Sequence, residues 1–392
     1  MCFRKYCLAS LALFLMISSS RLPAASQSRE SAGAGSSQEQ RASSFEVMLA
    51  PLVANKRYGA PTLVELSGGR ILAAYNDWTM PGDNGDFSPA FVAGRISSDG
   101  GRSWGRPFVL QENTSELGRM GPPTLLRLQN GDIGFFSAEL NSYSNFSFFF
   151  KRSRDEGKTW SAPVVVTPKP GYYIMNNHRV IQLKSGRLLA PFSHIPDIKR
   201  SKEFAWEGVC HYSDDNGATW HEGKGRVRIL DTKFDEFGLL TGVQEPGLIE
   251  LKDESVMMII RNQHQRIFKS YSHDAGETWS KPEPIEQLIA PVSPATIMRV
   301  PSTGDLAIVW NYSPKLRTPL AIAISRDEGK TWGNINFLEV GYYSYSYIAF
   351  LFPKGSQQLL LCYWVDETRD RPNKGTGLRI KGIDLAWLYK TE

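Results

Sequence analysis

One short pattern occurs five times along the chain, and that repetition constrains the fold more than any other feature. The copies are Ser97 to Trp104, Ser153 to Trp160, Ser213 to Trp220, Ser272 to Trp279 and Ser325 to Trp332, all of the form S-x-D-x-G-x-[S/T]-W. Their starts lie 56, 60, 59 and 53 residues apart, and the second and fifth copies share the string SRDEGKTW. A period of this length marks a repeated supersecondary unit rather than a chemical site present several times. The residue types agree. Asp accepts backbone N–H bonds in a turn, Gly tolerates positive φ, and Trp is a large apolar plug.

A second pattern lies between these boxes: two short apolar runs around a turn, the mark of a β-hairpin. It recurs at Pro61 to Tyr75, Pro123 to Phe136, Arg179 to Phe192, Pro246 to Ile260, Pro294 to Trp310 and Tyr347 to Tyr363. Each of the first five leads through a further strand-like run into a box. Four antiparallel strands per roughly 50–60 residues describe a propeller blade. The expectation is an all-β fold: a six-bladed β-propeller of four-stranded antiparallel blades, with the five boxes as turns between third and fourth strands. An open ring would leave unpaired strand edges. Residues 45–50 are therefore expected to close it as the outer strand of the last blade.

Topology then separates the boxes from the chemistry. The first strand of a blade leaves one face, the second returns to it, and the third runs away again. The boxes thus fall on the face opposite the starts of first strands and the ends of second strands. Polar residues gather at those starts and ends: Arg57, Asp77, Arg119, His178, Arg179, His194, Glu245, Arg261, Arg317, Tyr343 and Tyr345, with Asp83 and Asp86 on the loop after the first hairpin.

The chain has 392 residues, 41% hydrophobic and 22% charged, which suits a soluble globular protein with a full core. A formal net charge of +5 without a clustered basic run argues against nucleic acid as a partner. Arg4 and Lys5, the short apolar run Leu8 to Ile17 and the small residues at Pro23-Ala24-Ala25-Ser26 read as a signal peptide over residues 1–25. Export to the periplasm or the extracellular space follows, without stable membrane insertion. Residues 26–44, rich in Ser, Gly, Ala and Gln, read as a flexible linker, and 45–392 as the propeller domain. Cys2 and Cys7 fall in the signal; Cys210 and Cys362 either pair or remain buried thiols. No cofactor is expected, no cluster has metal-ligand spacing, and a monomer is expected.

Over roughly residues 55–390 the chain resembles the bacterial exo-sialidase (neuraminidase) superfamily, with its six-bladed propeller and Asp-boxes. Gln244-Glu245-Pro246, Arg261 and the box at 272–279 match one family blade in order and spacing. Arg317, shortly before the box at 325–332, matches the next, and Tyr345-Ser346-Tyr347-Ile348 matches the opening of the last. The resemblance implies that Tyr345 is the nucleophile and Glu245 its base, with Tyr343 as the rival tyrosine. It implies an acid/base on the first-blade loop: Asp86 first, then Asp83, with Asp77 third. Arg261 and Arg317 would bind the substrate's carboxylate. The chemistry is coherent. Arginine forks hold carboxylates bidentately, and a neutral tyrosine avoids the repulsion that an anionic nucleophile would meet.

Two places depart from the family pattern. The family's first arginine falls at Gly59, and Arg57, two residues earlier on the same strand face, is the candidate substitute. The third blade opens with Met175-Asn-Asn-His-Arg179 where small residues are usual, so His178 and Arg179 are expected to narrow the pocket or to bind a different acid. Three readings follow: a retaining exo-glycosidase for sialic acid or a related acidic sugar, a propeller hydrolase or lyase for uronic-acid polysaccharide using His178 or His194, and a non-catalytic carbohydrate-binding propeller.

Overall fold

The computed structural model describes residues 43–50, 57–78, 88–114, 118–230, 234, 241–341, 344–366 and 377–390, with backbone alone at 43, 344, 345 and 366. The expected signal peptide and most of the expected linker lie outside these residues. So do Asp83, Asp86 and Tyr343.

Strand β1 (Ser43–Leu49) comes first, starting two residues inside the expected linker. Next come β2 (Arg57–Glu65), β3 (Ile71–Trp78), β4 (Ala90–Ser97) and β5 (Phe108–Gln111), one antiparallel sheet in that spatial order. The following stretch supplies β6 (Thr124–Arg127), β7 (Ile133–Ser142), β8 (Asn145–Ser153), β9 (Val164–Val165), β10 (Gly171–Ile174), β11 (Ile181–Gln182), β12 (Leu188–Ile195), β13 (Glu207–Ser213) and β14 (His221–Glu222). Two further four-stranded sheets are β15 (Gln244–Glu250), β16 (Val256–Arg261), β17 (Arg266–Ser272) and β18 (Glu283–Ile289), then β19 (Thr296–Arg299), β20 (Leu306–Asn311), β21 (Leu320–Ser325) and β22 (Gly333–Glu339). The last holds β23 (Ser344–Leu351), β24 (Gln358–Asp366) and β25 (Gly377–Asp384), with β1 on its outer edge.

The fold is an all-β propeller, but the expectation of six separate four-stranded blades needs correction. The described residues form four sheets of four strands and one of nine. The cause lies at β9, whose two residues cover only Phe149 and Phe150 of β8. The remaining edge of β8 is taken by β10, which pairs parallel to Asn145 and Phe146 and antiparallel to β12. The second and third repeat units are thereby joined through a strand that lies outside the hairpins marked in the sequence.

Ring closure follows the expectation. β1 pairs antiparallel with β25 from Phe45↔Gly382 to Leu49↔Leu378, so the start of the domain covers the edge of its last sheet. First strands line the centre: β2 lies against β6 and β23, and β19 against β15 and β23.

Every box sits between the third and fourth strands of its unit. In each, the Ser hydroxyl donates to the Asp and accepts from the Gly N–H, while the Asp accepts from the N–H and hydroxyl of the residue four positions on, as in Thr159 N–H to Asp155 Oδ1 at 2.8 Å. Hydrogen bonds from Ser103 and Thr159 pull Asp99 and Asp155 down to about 2. Trp220 plugs into the preceding unit, against Phe136 at 5.6 Å, and Trp160 packs on Phe135 of its own unit at 5.2 Å, in the core cluster shared with Val64 and Leu72 of the unit before.

The identity of the two SRDEGKTW strings has a structural cause in their glutamates. Glu156 and Glu328 stand at φ 63° and 61° in their turns. Glu156 accepts from Arg127 at 3.0 and 2.8 Å and from Ser67 N–H at 2.8 Å. Glu328 accepts from Arg299 at 2.8 and 2.8 Å and from Lys252 N–H at 2.8 Å. Both arginines also donate at 2.8 Å to the backbone of the neighbouring unit, at Glu65 O and Glu250 O. Each string is a latch that ties its box to its own first strand and to the hairpin turn next door. The third unit makes the neutral version, Gln182 Nε2 donating to Asn216 at 3.3 Å and Gln182 Oε1 accepting from Gln129 N–H at 2.7 Å.

Candidate active site

At the end of the hub away from the boxes, three first strands carry a bulge. Pairing breaks between Gly59 and Thr62 in β2, between Gln244 and Gly247 in β15, and between Ser346 and Ala349 in β23. Inside each break is a non-glycine residue at positive φ: Ala60 at 51°, Glu245 at 41° and Tyr347 at 50°. Side-chain-bearing residues rarely adopt this conformation, and a bulge turns side chains out of the pleat. Glu245 is thereby turned out of the β15 ladder.

The bulge brings Glu245 to Arg261. Arg261 ends β16 opposite Gln244, and its Nη1 donates to Glu245 Oε2. Their side chains are 15% and 18% exposed, sunk enough for the pair to stay desolvated. Glu245 N–H donates to Ser193 Oγ of β12 at 2.7 Å. Arg317 lies on the same rim, on the connection from β20 to β21, and its Nη2 donates to Val292 O at 3.2 Å. Asp77 is buried near the end of β3, and beside it Asn76 Nδ2 donates to Met120 O at 3.2 Å.

Buried polar atoms without a partner among the described residues collect around this pair. Gln244 Oε1 and Ser346 Oγ stand at the near edge of their bulges and Ser293 Oγ three residues before β19, and all three are unmatched. Asn76 Oδ1, Asn311 Oδ1 and Arg261 Nε, near the ends of second strands, are unmatched too. Buried polar atoms are normally satisfied, so a cluster of unmet ones marks a place for water or a polar ligand.

The BNR repeat-like domain family matches residues 69–351. The chain belongs to this family. Sialidases from Micromonospora viridifaciens and Paraclostridium sordellii are each 26% identical to it, the first over 371 residues and 84% of this chain, the second over 267 residues and 57%. The chain spans 52% and 60% of their lengths. Among solved structures, a protein of unknown function from Dyadobacter fermentans superposes with a TM-score of 0.70 at 17% identity, covering 87% of this chain and 98% of its own. The intramolecular trans-sialidase from Ruminococcus gnavus gives 0.66 at 15% identity, covering 90% and 99%. At these identities the superpositions speak for the fold.

Within this BNR repeat-like domain, the first departure noted in the sequence has a steric cause. A Cβ on Gly59 would come within 2.9 Å of Trp78 Cζ3. The buried Trp78 ring fills the volume that a side chain at 59 would need. Arg57 lies over that same ring, its guanidinium carbon 4.0 Å from the centroid. Trp78 was the signal in the sequence that carried this, standing next to Asp77 at the end of the first hairpin.

The second departure has its own place in the fold. His178 and Arg179 lie in the hub, not on the rim. Asn177 Nδ2 donates to Pro61 O at 2.5 Å and to Ile348 O at 3.2 Å, and His178 N–H donates to Thr124 Oγ1 at 2.9 Å. The His178 ring lies 3.4 Å from Thr62 Oγ1 and 3.3 Å from Met298 Sδ, and burial lowers its pKa to about 4. Arg179 Nη1 donates to Thr296 Oγ1 at 2.9 Å; burial lowers its pKa to about 10, against the opposing pull of Glu245. Thr124 and Thr296 begin their first strands, and Thr62 resumes the ladder of β2 after its bulge. The Pro-Thr pairs at 61–62 and 123–124 were readable as a repeat.

A cavity of about 960 Å³ opens at the box end of the hub, walled by Leu63, Leu125, Val180, Leu248 and Ile297, with His178 at its inner end. It is the opposite end from Glu245 and Arg261. His194, stacked on Tyr173 at 4.6 Å, is half-buried beside Arg226, and burial lowers its pKa. Cys210 and Cys362 are buried free thiols in different core clusters. Tyr345 lies in β23 with its backbone opposite Val365.

Proposed function

We propose that this protein is an exported exo-glycosidase that removes terminal sialic acid, or a related acidic sugar, from glycoconjugates with retention of configuration. The observation that carries the reading is the Arg261–Glu245 pair, sunk among unmatched polar atoms at the hub end away from the boxes. It supplies a cation for an acid group and a carboxylate base in one desolvated place. The curated relatives named sialidase support the substrate class.

In this reading Glu245 takes the proton from the Tyr345 hydroxyl as its oxygen attacks the anomeric carbon. Asp86, or Asp83, gives a proton to the departing glycosidic oxygen. Water then attacks the same carbon, losing its proton to that aspartate, while the Tyr345 oxygen leaves and recovers its proton from Glu245. Arg261 and Arg317 hold the sugar's carboxylate through both steps. Arg57, stacked on Trp78, stands at the edge of this site. Because Trp78 excludes a side chain at Gly59, the acid group meets fewer arginines than the family pattern provides, so uronic acids are the competing substrates.

Release of a fluorophore from an aryl sialoside, run beside a panel of aryl uronides and a uronate polymer, decides among the substrates. Sialoside turnover that disappears in Tyr345→Phe and falls about 10²–10⁴-fold in Glu245→Gln is expected. Uronide turnover with inert sialosides would replace the substrate, and full activity in Tyr345→Phe would end the mechanism.

A further inference from the structure

Arg179 is a buried cation with little to bind. It is 2% exposed, uses Nη1 on Thr296, and leaves Nε and Nη2 without a partner among the described residues. A buried charge persists only beside a counter-charge. The carboxylate that acts on Arg179 is Glu245. Glu245 lies two residues before Gly247, where a Cβ would come 3.5 Å from Arg179 Nη1. Arg261 thus pairs with Glu245 from its own sheet, while Arg179 reaches the same strand two residues on from across the hub.

The partner of Arg179 leads to the other end of the proposed chemistry. Thr296 Oγ1, which accepts from Arg179, donates to Ile348 O at 2.7 Å. Ile348 stands three residues after Tyr345 on β23, just beyond the Tyr347 bulge. Asn177, two residues before Arg179, donates to that same carbonyl.

We propose that Arg179 is a positioning residue that holds the Glu245 bulge of β15 in place when Arg261 turns to a ligand's acid group, and that through Thr296 and Ile348 it sets the register of the strand bearing Tyr345. The inference rests on the glycosidase reading above. It gives the Asn-Asn-His-Arg segment a task at the hub instead of in the pocket wall.

Two measurements test it. In sialoside turnover, Arg179→Met is expected to slow the chemical step while leaving substrate binding nearly intact, since Arg179 acts through the placement of β15 and β23. It should lower kcat about 10–100-fold with KM changed less than about threefold, and Arg179→Lys should recover most of the loss. The second needs no substrate: a thermal-denaturation cycle of Arg179→Met, Glu245→Gln and the double variant, expected to be non-additive. If Arg179→Met does not fold, Arg179→Lys takes its place in both. An additive cycle, or a normal kcat in Arg179→Met, overturns the proposal. A non-additive cycle in a protein inert on every sialoside upholds the Arg179–Glu245 coupling and overturns the sialidase reading alone.

Discussion

Replacing Glu156 and Glu328 together by Gln should destabilise the fold in a pH-dependent way. Hydrogen bonds from the paired arginines pull both carboxyls from 4.5 down to about 2. A shift of that size corresponds to about 3 kcal/mol per group at 1.36 kcal/mol per unit. The Glu328 and Arg299 side chains are 20% and 27% exposed, so solvent shares the interaction. Screening reduces the figure to roughly 1–2 kcal/mol per latch, or roughly 2–4 for both. At about 2.1 cal/mol/K per residue, a propeller of this size unfolds with an entropy near ~0.7 kcal/mol/K, so the double variant should melt roughly 3–6 °C lower near pH 7. These are carboxyls with depressed folded pKa values. Their contribution is complete above the unfolded value of about 4.3 and is lost as pH falls toward about 2. Melting curves by circular dichroism at several pH values read the effect: the gap between wild type and variant should be full near pH 6–7, about half closed near pH 3 and mostly closed near pH 2. A gap below about 1 °C near neutrality, or one that stays constant to low pH, would refute the latch account.

Three further outcomes are expected. His211 is fully buried on Phe192 with neither ring nitrogen paired among the described residues, and burial lowers its pKa to about 4. Unfolding therefore takes up a proton between about pH 6.5 and 4, stability falls across that window by up to about 3 kcal/mol, and His211→Phe should flatten that part of a melting-temperature profile. Burial pushes the Cys210 and Cys362 thiols up, so peptide mapping after iodoacetamide should find both unmodified in the native protein and alkylated after denaturation. Gly59→Ala should cost about 1–3 kcal/mol by overpacking on Trp78, read as a lower urea midpoint, whereas a harmless substitution would mean that the ring has room to move.

Much of the candidate site was legible because it follows strand order. Glu245 and Arg261 mark the start of one first strand and the end of the strand paired with it, and the hairpin text alone brings such residues together. The hub residues were not legible. His178 and Arg179 also begin a hairpin, but β11 shrinks to two residues and His178 turns at φ 59°, so the segment lies across the hub toward Thr296 and Ile348. Backbone torsions of this kind leave no mark in hydrophobic periodicity. The joined second and third units escaped for a similar reason. β10 exists because β9 is too short to cover β8, and strand length is a weaker signal than strand presence.

The sequence by itself determined the propeller, the box turns, the closing strand and the end of the hub where the chemistry should lie. These depend on local alternation, turn residues and a fixed period, all of which are written along the chain. Only the tertiary structure decided that the two SRDEGKTW strings latch neighbouring units through Glu156 and Glu328. It alone decided that Trp78 bars a side chain at Gly59 and that Arg179 reaches Thr296 across the hub. Those contacts join residues dozens of positions apart, and which of them form depends on bulges and on the volume left by neighbouring sheets. A linear pattern carries neither.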